Sequence, residues 1–247
     1  MRLETFQTPK DLGQAAAKFC ETVINRAIAE KGSARIVLST GASQFDTFAH
    51  LVKADVDWSC VDMFHLDEYI DLPESHPASF RRYLNEKFIS QVHLRNAYLV
   101  DGEGDVQAKL EALSAKLLEV PVDLALIGIG ENAHVAFNDP PADFDTQEPY
   151  IIVDLDEVCK NQQVREGWFA SLADVPKSAV TMSVHRVMQS KVILSCVPYQ
   201  VKAEAVKRTL TDEVTNMVPA TILKTHPDWH LYLDTDSASL LDKPSIV

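Results

Sequence analysis

The sequence predicts an α/β fold of the doubly wound, Rossmann-like class, in which a mostly parallel sheet carries helices on both faces in three layers. Strand-like apolar runs alternate with helix-like segments along the chain. The strand-like runs are almost continuously apolar, which is typical of parallel strands that are covered on both faces. With 247 residues, of which 46% are hydrophobic, the chain is long enough for one large core, so we expect a single domain over residues 1–247.

The first predicted element is a helix over residues 11–31, where apolar residues recur at helical spacing and Gly32 is suited to end the helix. The elements that follow in the first half are a strand at 35–39, a helix near 45–53, a strand near 61–66, a helix near 79–89, a short strand near 97–100 and a helix near 105–118. In the second half we predict strands at 122–127, 151–153, 180–184, 192–197 and 230–233. We assign these strands to the one mostly parallel sheet.

Charge and composition exclude several classes of partner. The formal net charge of −13 disfavours nucleic acid, whose binding depends on clusters of cationic side chains. No run approaches the roughly 20 apolar residues of a membrane-spanning helix, and residues 1–10 lack the basic start and apolar core of a signal peptide. We therefore expect a cytoplasmic protein with no membrane partner, in which the last residues, 242–247, are loose.

The four cysteines, at positions 20, 60, 159 and 196, lie far apart in the sequence and show no metal-binding spacing. Neither a disulfide framework nor a structural zinc site is indicated. We expect reduced and mostly buried thiols.

Ligands of doubly wound sheets bind beyond the carboxyl ends of the strands, so a site is expected in the loops that follow them. The first predicted strand runs into Ser39, Thr40, Gly41, Ala42 and Ser43, which lead into a helix. Small residues, hydroxyl groups and free backbone amides at a helix N-terminus are suited to bind a phosphate. A plain turn with Ser43 as the helix cap is an equal alternative.

The second predicted strand ends in two adjacent acids, Asp67 and Glu68. Successive side chains of an extended chain point to opposite faces, so Asp67 shares a face with His65 while Glu68 points away. One acid can then enter a cleft as a general base with a raised pKa, while the other braces the loop. Two alternatives stay open: a solvated acidic loop, and a zinc or manganese site made of His65, Asp67, Glu68 and His76, whose spacing matches no closed site.

Glycines and then His134 follow the strand at 122–127, and Asp139 comes shortly after. A histidine near an acid can hold one tautomer and shuttle a proton, so we interpret the two residues as an acid/base pair. The segment also satisfies the pattern G-x-G-x-x-A of nucleotide-binding proteins, with Asp154 as the acid further along. That fingerprint requires a helix directly after its glycines, whereas the stretch up to Pro149 has no helical period, so NAD is not expected.

Taken together, these segments resemble the glucosamine-6-phosphate deaminase family, which forms one superfamily with the 6-phosphogluconolactonases. S-T-G-A-S at 39–43 resembles the family's T-G-G-T phosphate loop, and L-D-E-Y-I-D-L-P-E-S-H-P-A-S-F at 66–80 resembles its D-E-Y-x-x-L-x-x-x-H-P-x-S segment. G-I-G-E-N-A-H-V-A-F-N-D-P at 128–140 resembles its G-x-G-x-D-G-H-I-A-F-N-E-P segment. Lactonases usually carry D-E-R and H-x-A-S-L-F-P at these places, so Tyr69 and Phe137 favour the deaminase branch.

The resemblance implies an enzyme that converts the amino-sugar phosphate glucosamine 6-phosphate into fructose 6-phosphate and ammonia, without cofactor or metal. Asp67 matches the base that moves a proton between C2 and C1 of the opened sugar. His134, assisted by Asp139, matches the group that opens the ring. The 6-phosphate is then held by the 39–43 loop and by Lys202 as a point charge.

The chain departs from the family pattern in the His134 segment, where Asn132 replaces an aspartate, Ala133 a glycine and Asp139 a glutamate. Asn132 can form hydrogen bonds but carries no negative charge to stabilise an imidazolium. We therefore expect slower ring opening or a different preferred sugar.

Two other functions stay open on the sequence. One is a lactonase or a simple phosphosugar isomerase, acting on another epimer, that uses the same loop. The other is a non-catalytic sugar-phosphate binding protein in which Asn132 marks lost chemistry. The resemblance does not identify the further cation of the phosphate site, for which Lys160, Arg165 and Arg186 are candidates, and the sequence leaves open whether the chain forms a homo-oligomer.

Overall fold

The computed structural model describes residues 1–242, so residues 243–247 of the tail that we expected to be loose lie outside the described part. The strands are β1 (Arg2–Phe6), β2 (Ala34–Leu38), β3 (Val61–His65), β4 (Asp67–Tyr69), β5 (Asn96–Tyr98), β6 (Leu124–Ile127), β7 (Tyr150–Asp154), β8 (Ser178–Met182), β9 (Val192–Val197) and β10 (Trp229–Asp234). Seven of them form one sheet in the order β1-β10-β9-β6-β2-β3-β5. Every pair in this sheet is parallel.

Helices cover both faces of the parallel sheet. They are α1 (Pro9–Lys31), α2 (Phe45–Leu51), α3 (Phe80–Lys87), α4 (Val106–Leu118), α5 (Glu157–Arg165), α6 (Val184–Met188) and α7 (Ala203–Thr211). Alternate residues of β2 separate the two faces: Ile36 and Leu38 pack into a core with α1, α2 and α3, whereas Val37 packs into a core with α4, α6 and α7. The doubly wound, three-layer class predicted from the sequence is confirmed.

A second sheet, which the sequence did not predict, has the order β4-β8-β7 and is antiparallel. The strands predicted at 151–153 and 180–184 belong to this sheet, so their assignment to the parallel sheet was wrong. Strand β8 also ends at Met182, and Val184 already begins α6. The error has a physical cause, because an apolar run of this length forms a strand in either sheet and only its hydrogen-bonding partner decides which one.

Two strands were missed altogether. Strand β1 lies at the edge of the parallel sheet and mixes charged with apolar residues, and β4 has only three residues. The remaining boundaries agree within a few residues. Helix α1, for example, begins at Pro9 because the Thr8 side chain caps it, and it ends at Lys31, after which Gly32 adopts the left-handed conformation (φ 77°). None of the helices within residues 1–242 has the length and apolarity that crossing a membrane requires.

The strand order places a crevice between β2 and β6. From β2 the chain proceeds outward through β3 to β5, and then returns to β6 on the other side of β2. In doubly wound sheets the loops diverge at such a reversal and leave room for a ligand at the carboxyl ends of the strands. The loops after β2 and β6 are those that carry Ser39–Ser43 and His134.

The contact between α1 and α2 depends on the absence of a side chain at Gly13. A Cβ atom at this position would lie 2.5 Å from the Cβ of Asp46 and 2.8 Å from the backbone nitrogen of Thr47. Helix α2 follows the 39–43 loop directly, so this close approach also fixes the base of the site.

We expect Gly13→Ala to lower the free energy of unfolding by about 1–3 kcal/mol, because the methyl group forces two packed helices apart. Chemical denaturation measures the change. Gln14→Ala, at the exposed neighbouring position, serves as the control and should stay within about 0.5 kcal/mol of the wild type. An unchanged stability of Gly13→Ala would contradict the packing described above.

Candidate active site

Loops at the carboxyl edge of the parallel sheet enclose a cavity of about 470 Å³. The site residues predicted from the sequence that line it are Ser39, Thr40, Gly41, Ala42, Ser43, Asp67, His134 and Lys202. Three further predicted residues, Glu68, Asn132 and Asp139, do not line the cavity. Segments that are remote in sequence therefore meet at one place, and the non-lining residues contact those that line it.

The loop after β2 has the geometry of an anion cradle. Gly41 adopts a φ of 98°, which favours glycine, and a 3-10 turn then leads into α2. Neither the turn nor α2 is capped by a side chain, so the alternative that Ser43 is a helix cap was wrong. The buried hydroxyl of Ser39 has no hydrogen-bond partner within the described residues, which leaves it free to bind a ligand.

Lys202 brings a positive charge to the cavity wall. It follows β9 after a turn at Tyr199 (φ 81°), whose backbone amide donates to the buried carboxylate of Asp234 at 3.0 Å. Lys202 is only 8% exposed, and within residues 1–242 no carboxylate lies within 4.0 Å of its ammonium group. Burial lowers the pKa of Lys202, although Glu166 and Glu131 oppose this effect. A buried cation without a bonded counterion is suited to receive an anionic ligand.

Of the three candidates for a second cation, only Arg165 lines the cavity. Arg186 donates to the carbonyl of Leu117 at 2.9 Å instead. Arg165 is the last residue of α5 and forms an ion pair with Glu131. The segment around α5 supplies further wall residues that the sequence analysis did not identify, namely Gln162, Gln163, Glu166 and Trp168. Their only sequence signal was a run of amide and charged side chains, which surface helices also carry.

Asp67 lies where the chain passes from the parallel sheet to the antiparallel one. As the first residue of β4 it pairs with Thr181 of β8, and it is 6% exposed. Burial, and then the nearby charge of Glu68, raise the pKa of Asp67 to about 8. A carboxyl group with a pKa near the working pH can both take up and return a proton.

Glu68 points away from the cavity and braces the following helix. Its carboxylate accepts hydrogen bonds from the Ser79 hydroxyl at 2.9 Å and from the backbone amides of Phe80 and Arg81 at 3.2 and 2.8 Å. The Arg81 guanidinium pairs with it as well, at 3.3 Å. Burial raises the pKa of Glu68, and these donors oppose the rise. The opposite directions of the two acids agree with the alternation expected for extended chain, and both are buried, so the solvated-loop alternative was wrong.

The metal site considered for His65, Asp67, Glu68 and His76 is not formed. Within residues 1–242 these side chains do not gather around a common point. Glu68 is bound to α3, and His76 accepts a hydrogen bond from the backbone amide of Ala78. His65 is fully buried, and burial followed by the charge of Arg81 lowers its pKa to about 3. The metal alternative was therefore wrong.

His134 and Asp139 form a pair, as the sequence suggested. The His134 Nδ1 atom lies 2.9 Å from Asp139 Oδ1, although the two are not aligned as an in-line hydrogen bond. Burial alone raises the pKa of Asp139, but the contact with His134 and a hydrogen bond from Asn132 outweigh it and lower the pKa. A Cβ atom at Gly130 would lie 2.2 Å from His134 Nε2, so the imidazole occupies its position only because residue 130 is glycine.

Asn132 bridges the pair rather than standing in for a charge. Its Oδ1 accepts the backbone amide of His134 at 3.0 Å, and its Nδ2 donates to Asp139 Oδ1 at 2.9 Å. An ionised aspartate at position 132 can make the first bond but not the second. Ala133, between them, has a φ of 66°, a conformation that favours the glycine of the family pattern.

No helix follows the glycines of the G-x-G-x-x-A segment in the described structure. The chain from Gly128 to Pro149 consists of turns and bends, and α5 begins only after β7. The helix N-terminus on which a dinucleotide pyrophosphate rests is thus missing at this place, in agreement with the sequence interpretation.

Comparisons with known proteins place the chain among sugar-phosphate enzymes. Residues 7–231 match the family described as glucosamine-6-phosphate isomerases/6-phosphogluconolactonase. The chain is 33% identical over 213 residues to a glucosamine-6-phosphate deaminase of Streptococcus pneumoniae (strain Hungary19A-6), which covers 86% of this chain and 89% of the relative. The deaminase of strain 70585 is similar to the same extent.

Solved structures agree with this result. The fold is similar to that of a monomeric glucosamine-6-phosphate deaminase, with a TM-score of 0.88 and 29% identity over 97% of this chain and all (100%) of that one. A 6-phosphogluconolactonase from Trypanosoma brucei shares the fold with a TM-score of 0.81, at 16% identity over 98% of both chains.

The raised pKa of Asp67 predicts a pH-dependent change in stability. The folded protein holds this proton up to about pH 8, whereas the unfolded chain releases it near pH 4, so the contribution of Asp67 to the free energy of unfolding falls between these values as the pH rises. Asp67→Asn cannot ionise. We expect it to be more stable than the wild type by about 1–3 kcal/mol at pH 8 and nearly equal to it at pH 4.

Chemical denaturation at the two pH values measures this difference. Asp55→Asn, which removes an exposed carboxylate, is the control and should show a much smaller pH-dependent difference. If Asp67→Asn gives the same change in stability at pH 4 and pH 8, the carboxyl group of Asp67 is not held protonated in the folded protein.

Proposed function

The chain belongs to the glucosamine-6-phosphate isomerase/6-phosphogluconolactonase family, and we propose that it catalyses the isomerising deamination of glucosamine 6-phosphate to fructose 6-phosphate and ammonia. One observation supports this proposal most strongly. A single cavity joins a cation-bearing anion cradle to a buried carboxyl group and to a histidine–aspartate pair. Phosphate recognition and two kinds of proton transfer are the chemical requirements of this reaction.

The 6-phosphate is proposed to lie against the 39–43 loop. Backbone amides and the hydroxyls of this loop donate hydrogen bonds, while Lys202 and Arg165 supply positive charge. Lys202 acts as a point charge, and the planar guanidinium of Arg165 is able to bind two phosphate oxygens at once. Holding the phosphate fixes the sugar so that C1 and C2 face the acid/base groups.

His134 is proposed to open the sugar ring. Its imidazole takes the proton of the C1 hydroxyl and delivers a proton to the ring oxygen, which leaves C1 as an aldehyde. The imidazolium that forms on the way is stabilised by the Asp139 carboxylate, 2.9 Å from Nδ1. Asn132 keeps Asp139 in place through its amide hydrogen bond.

Asp67 is proposed to carry out the isomerisation. Its carboxylate removes the proton from C2, which bears the amine, and returns a proton to C1, while a proton passes from the amine nitrogen to the C1 oxygen, so that the aldose amine becomes a ketose imine. Water then adds to C2 and ammonia leaves, which gives fructose 6-phosphate. Every step uses water and side chains of the protein and balances without an oxidant or a reductant.

The aromatic packing beside Asp67 supports the deaminase branch. Tyr69 is fully buried, and its ring centroid lies 5.2 Å from that of Phe137 and 5.0 Å from that of Phe80. Phe137 and Phe80 are also part of the cavity wall. Of the two residues that distinguish this sequence from the lactonase pattern, Phe137 thus lines the cavity and Tyr69 packs against it. We also propose a cytoplasmic location and a single domain over residues 1–247.

An assay of the purified protein tests the proposal. We expect glucosamine 6-phosphate to yield equal amounts of ammonia and fructose 6-phosphate, and we expect kcat/KM to rise with pH through the pKa of Asp67, about 8, because the base must be ionised. Asp67→Asn should lower kcat by about 10²–10⁴-fold. Galactosamine 6-phosphate tests the choice of epimer, and 6-phosphogluconolactone tests the lactonase alternative. If the protein binds glucosamine 6-phosphate and galactosamine 6-phosphate but releases ammonia from neither, the proposed deaminase activity is refuted.

Asn132→Asp tests the role of the amide at this position. The substitution removes the hydrogen bond to Asp139 and sets a second negative charge beside it, so we expect kcat to fall about tenfold. Asn25→Asp on α1, where the amide donates to the carbonyl of Asp55, is the matched control and should leave kcat unchanged. A gain in turnover would instead indicate that Asn132 replaced an aspartate at the expense of activity.

A further inference from the structure

The ion pair between Glu131 and Arg165 lies in the wall of the cavity. Glu131 belongs to the loop that leads from β6 to His134, and Arg165 ends α5. The side chains of Glu131 and Arg165 are 22% and 56% exposed, so solvent and ligands reach the pair. The carboxylate of Glu131 therefore occupies the guanidinium of Arg165, which lines the same cavity as the anion cradle.

The acids near this cradle are bound in different ways. The carboxylate of Glu166 accepts hydrogen bonds from Gln162 Nε2 at 2.7 Å and from Trp168 Nε1 at 3.1 Å, which are neutral donors of its own segment. Within the described residues, the side chain of Glu131 has Arg165 as its hydrogen-bond partner. Glu131 is thus the acid that is bound to Arg165, whereas Glu166 is held by other groups.

Competition for Arg165 depends on charge. A phosphate ester carries about −1.5 to −2 charges at pH 7, whereas a carboxylate carries one, and Lys202 adds its attraction for the phosphate from the same wall. Two phosphate oxygens also match the planar guanidinium. A phosphate dianion is therefore a stronger partner for Arg165 than a carboxylate is.

We propose that Glu131 competes with the phosphate of the substrate for Arg165 and thereby lowers the affinity of the cavity for phosphate esters. The proposal rests on the proposed function, because it takes Arg165 and Lys202 as the phosphate-binding cations. Because the same ion pair must be broken each time, Glu131 lowers the affinity for every anion that binds Arg165 by the same factor.

Glu131→Gln tests the proposal, because it keeps the shape of the side chain and removes its charge. We expect the dissociation constant of inorganic phosphate, measured by calorimetry, and the KM for glucosamine 6-phosphate both to fall by about two- to fivefold, the range of a partly exposed ion pair. Glu86→Gln, which removes the acid of the exposed pair with Arg82 on α3, makes the same charge change and should alter neither value.

The opposite outcome has a distinct meaning. If Glu131 instead holds Arg165 in its binding position, Glu131→Gln weakens phosphate binding and raises KM, and the proposal is overturned. The effect must also act through the arginine. In an Arg165→Ala background we expect Glu131→Gln to give little or no gain, and an undiminished gain would overturn the proposal by revealing only a general charge effect.

The two proposals fail in different ways. Binding of inorganic phosphate requires no turnover and can be measured whether or not the protein is an enzyme. If the protein releases no ammonia but Glu131→Gln binds phosphate more tightly, the proposed deaminase activity is rejected and the competition between Glu131 and phosphate is supported. If the wild type releases ammonia but Glu131→Gln binds phosphate more weakly, the deaminase activity is supported and the competition between Glu131 and phosphate is rejected.

Discussion

The passage of the chain from one sheet to the other at Leu66 is the constraint on which the site depends. The backbone amide of Leu66 still donates to β2 of the parallel sheet, while its carbonyl accepts from β8 of the antiparallel sheet. Side-chain alternation after this point turns Asp67 towards the cavity and Glu68 towards α3. Strand β8 also fixes the opposite wall, because Thr181, the partner of Asp67, accepts the backbone amide of Phe137 at 3.1 Å.

The site contains ionisable groups whose burial is unfavourable, so the groups proposed for its chemistry also affect the stability of the fold. The carboxyl group of Asp67 and the ammonium group of Lys202 are both almost fully buried, and burial shifts the pKa of each towards its neutral form. The extensive bonding of Glu68 shows what a purely structural buried acid requires. Within residues 1–242 the carboxyl group of Asp67 has no such partners, which is consistent with a group that exchanges protons with a ligand rather than one that stabilises the fold.

The departures of the His134 segment from the family pattern have a local explanation. The sequence interpretation treated Asn132 as the loss of a charge that stabilises an imidazolium. In the structure Asp139 contacts the imidazole, and Asn132 supports Asp139 through a neutral amide. A carboxylate at position 132 would stand within hydrogen-bond distance of Asp139 and repel it. An asparagine in place of the family's aspartate at position 132 is therefore compatible with an intact pair of His134 and Asp139, provided that Asp139 carries the negative charge.

The sequence by itself determined the doubly wound class and the loops that carry the site, because the helical and strand periods and the glycine-rich strand ends are local properties of the chain. The alternation of side chains along an extended chain was also sufficient to predict that Asp67 and Glu68 point in opposite directions. The partners of β7 and β8, and the position of Arg165 rather than Lys160 or Arg186 in the cavity wall, were decided only by the tertiary structure. Hydrogen-bonding partners and cavity walls arise from contacts between segments that are remote in sequence, and a local period contains no information about which remote segment completes them.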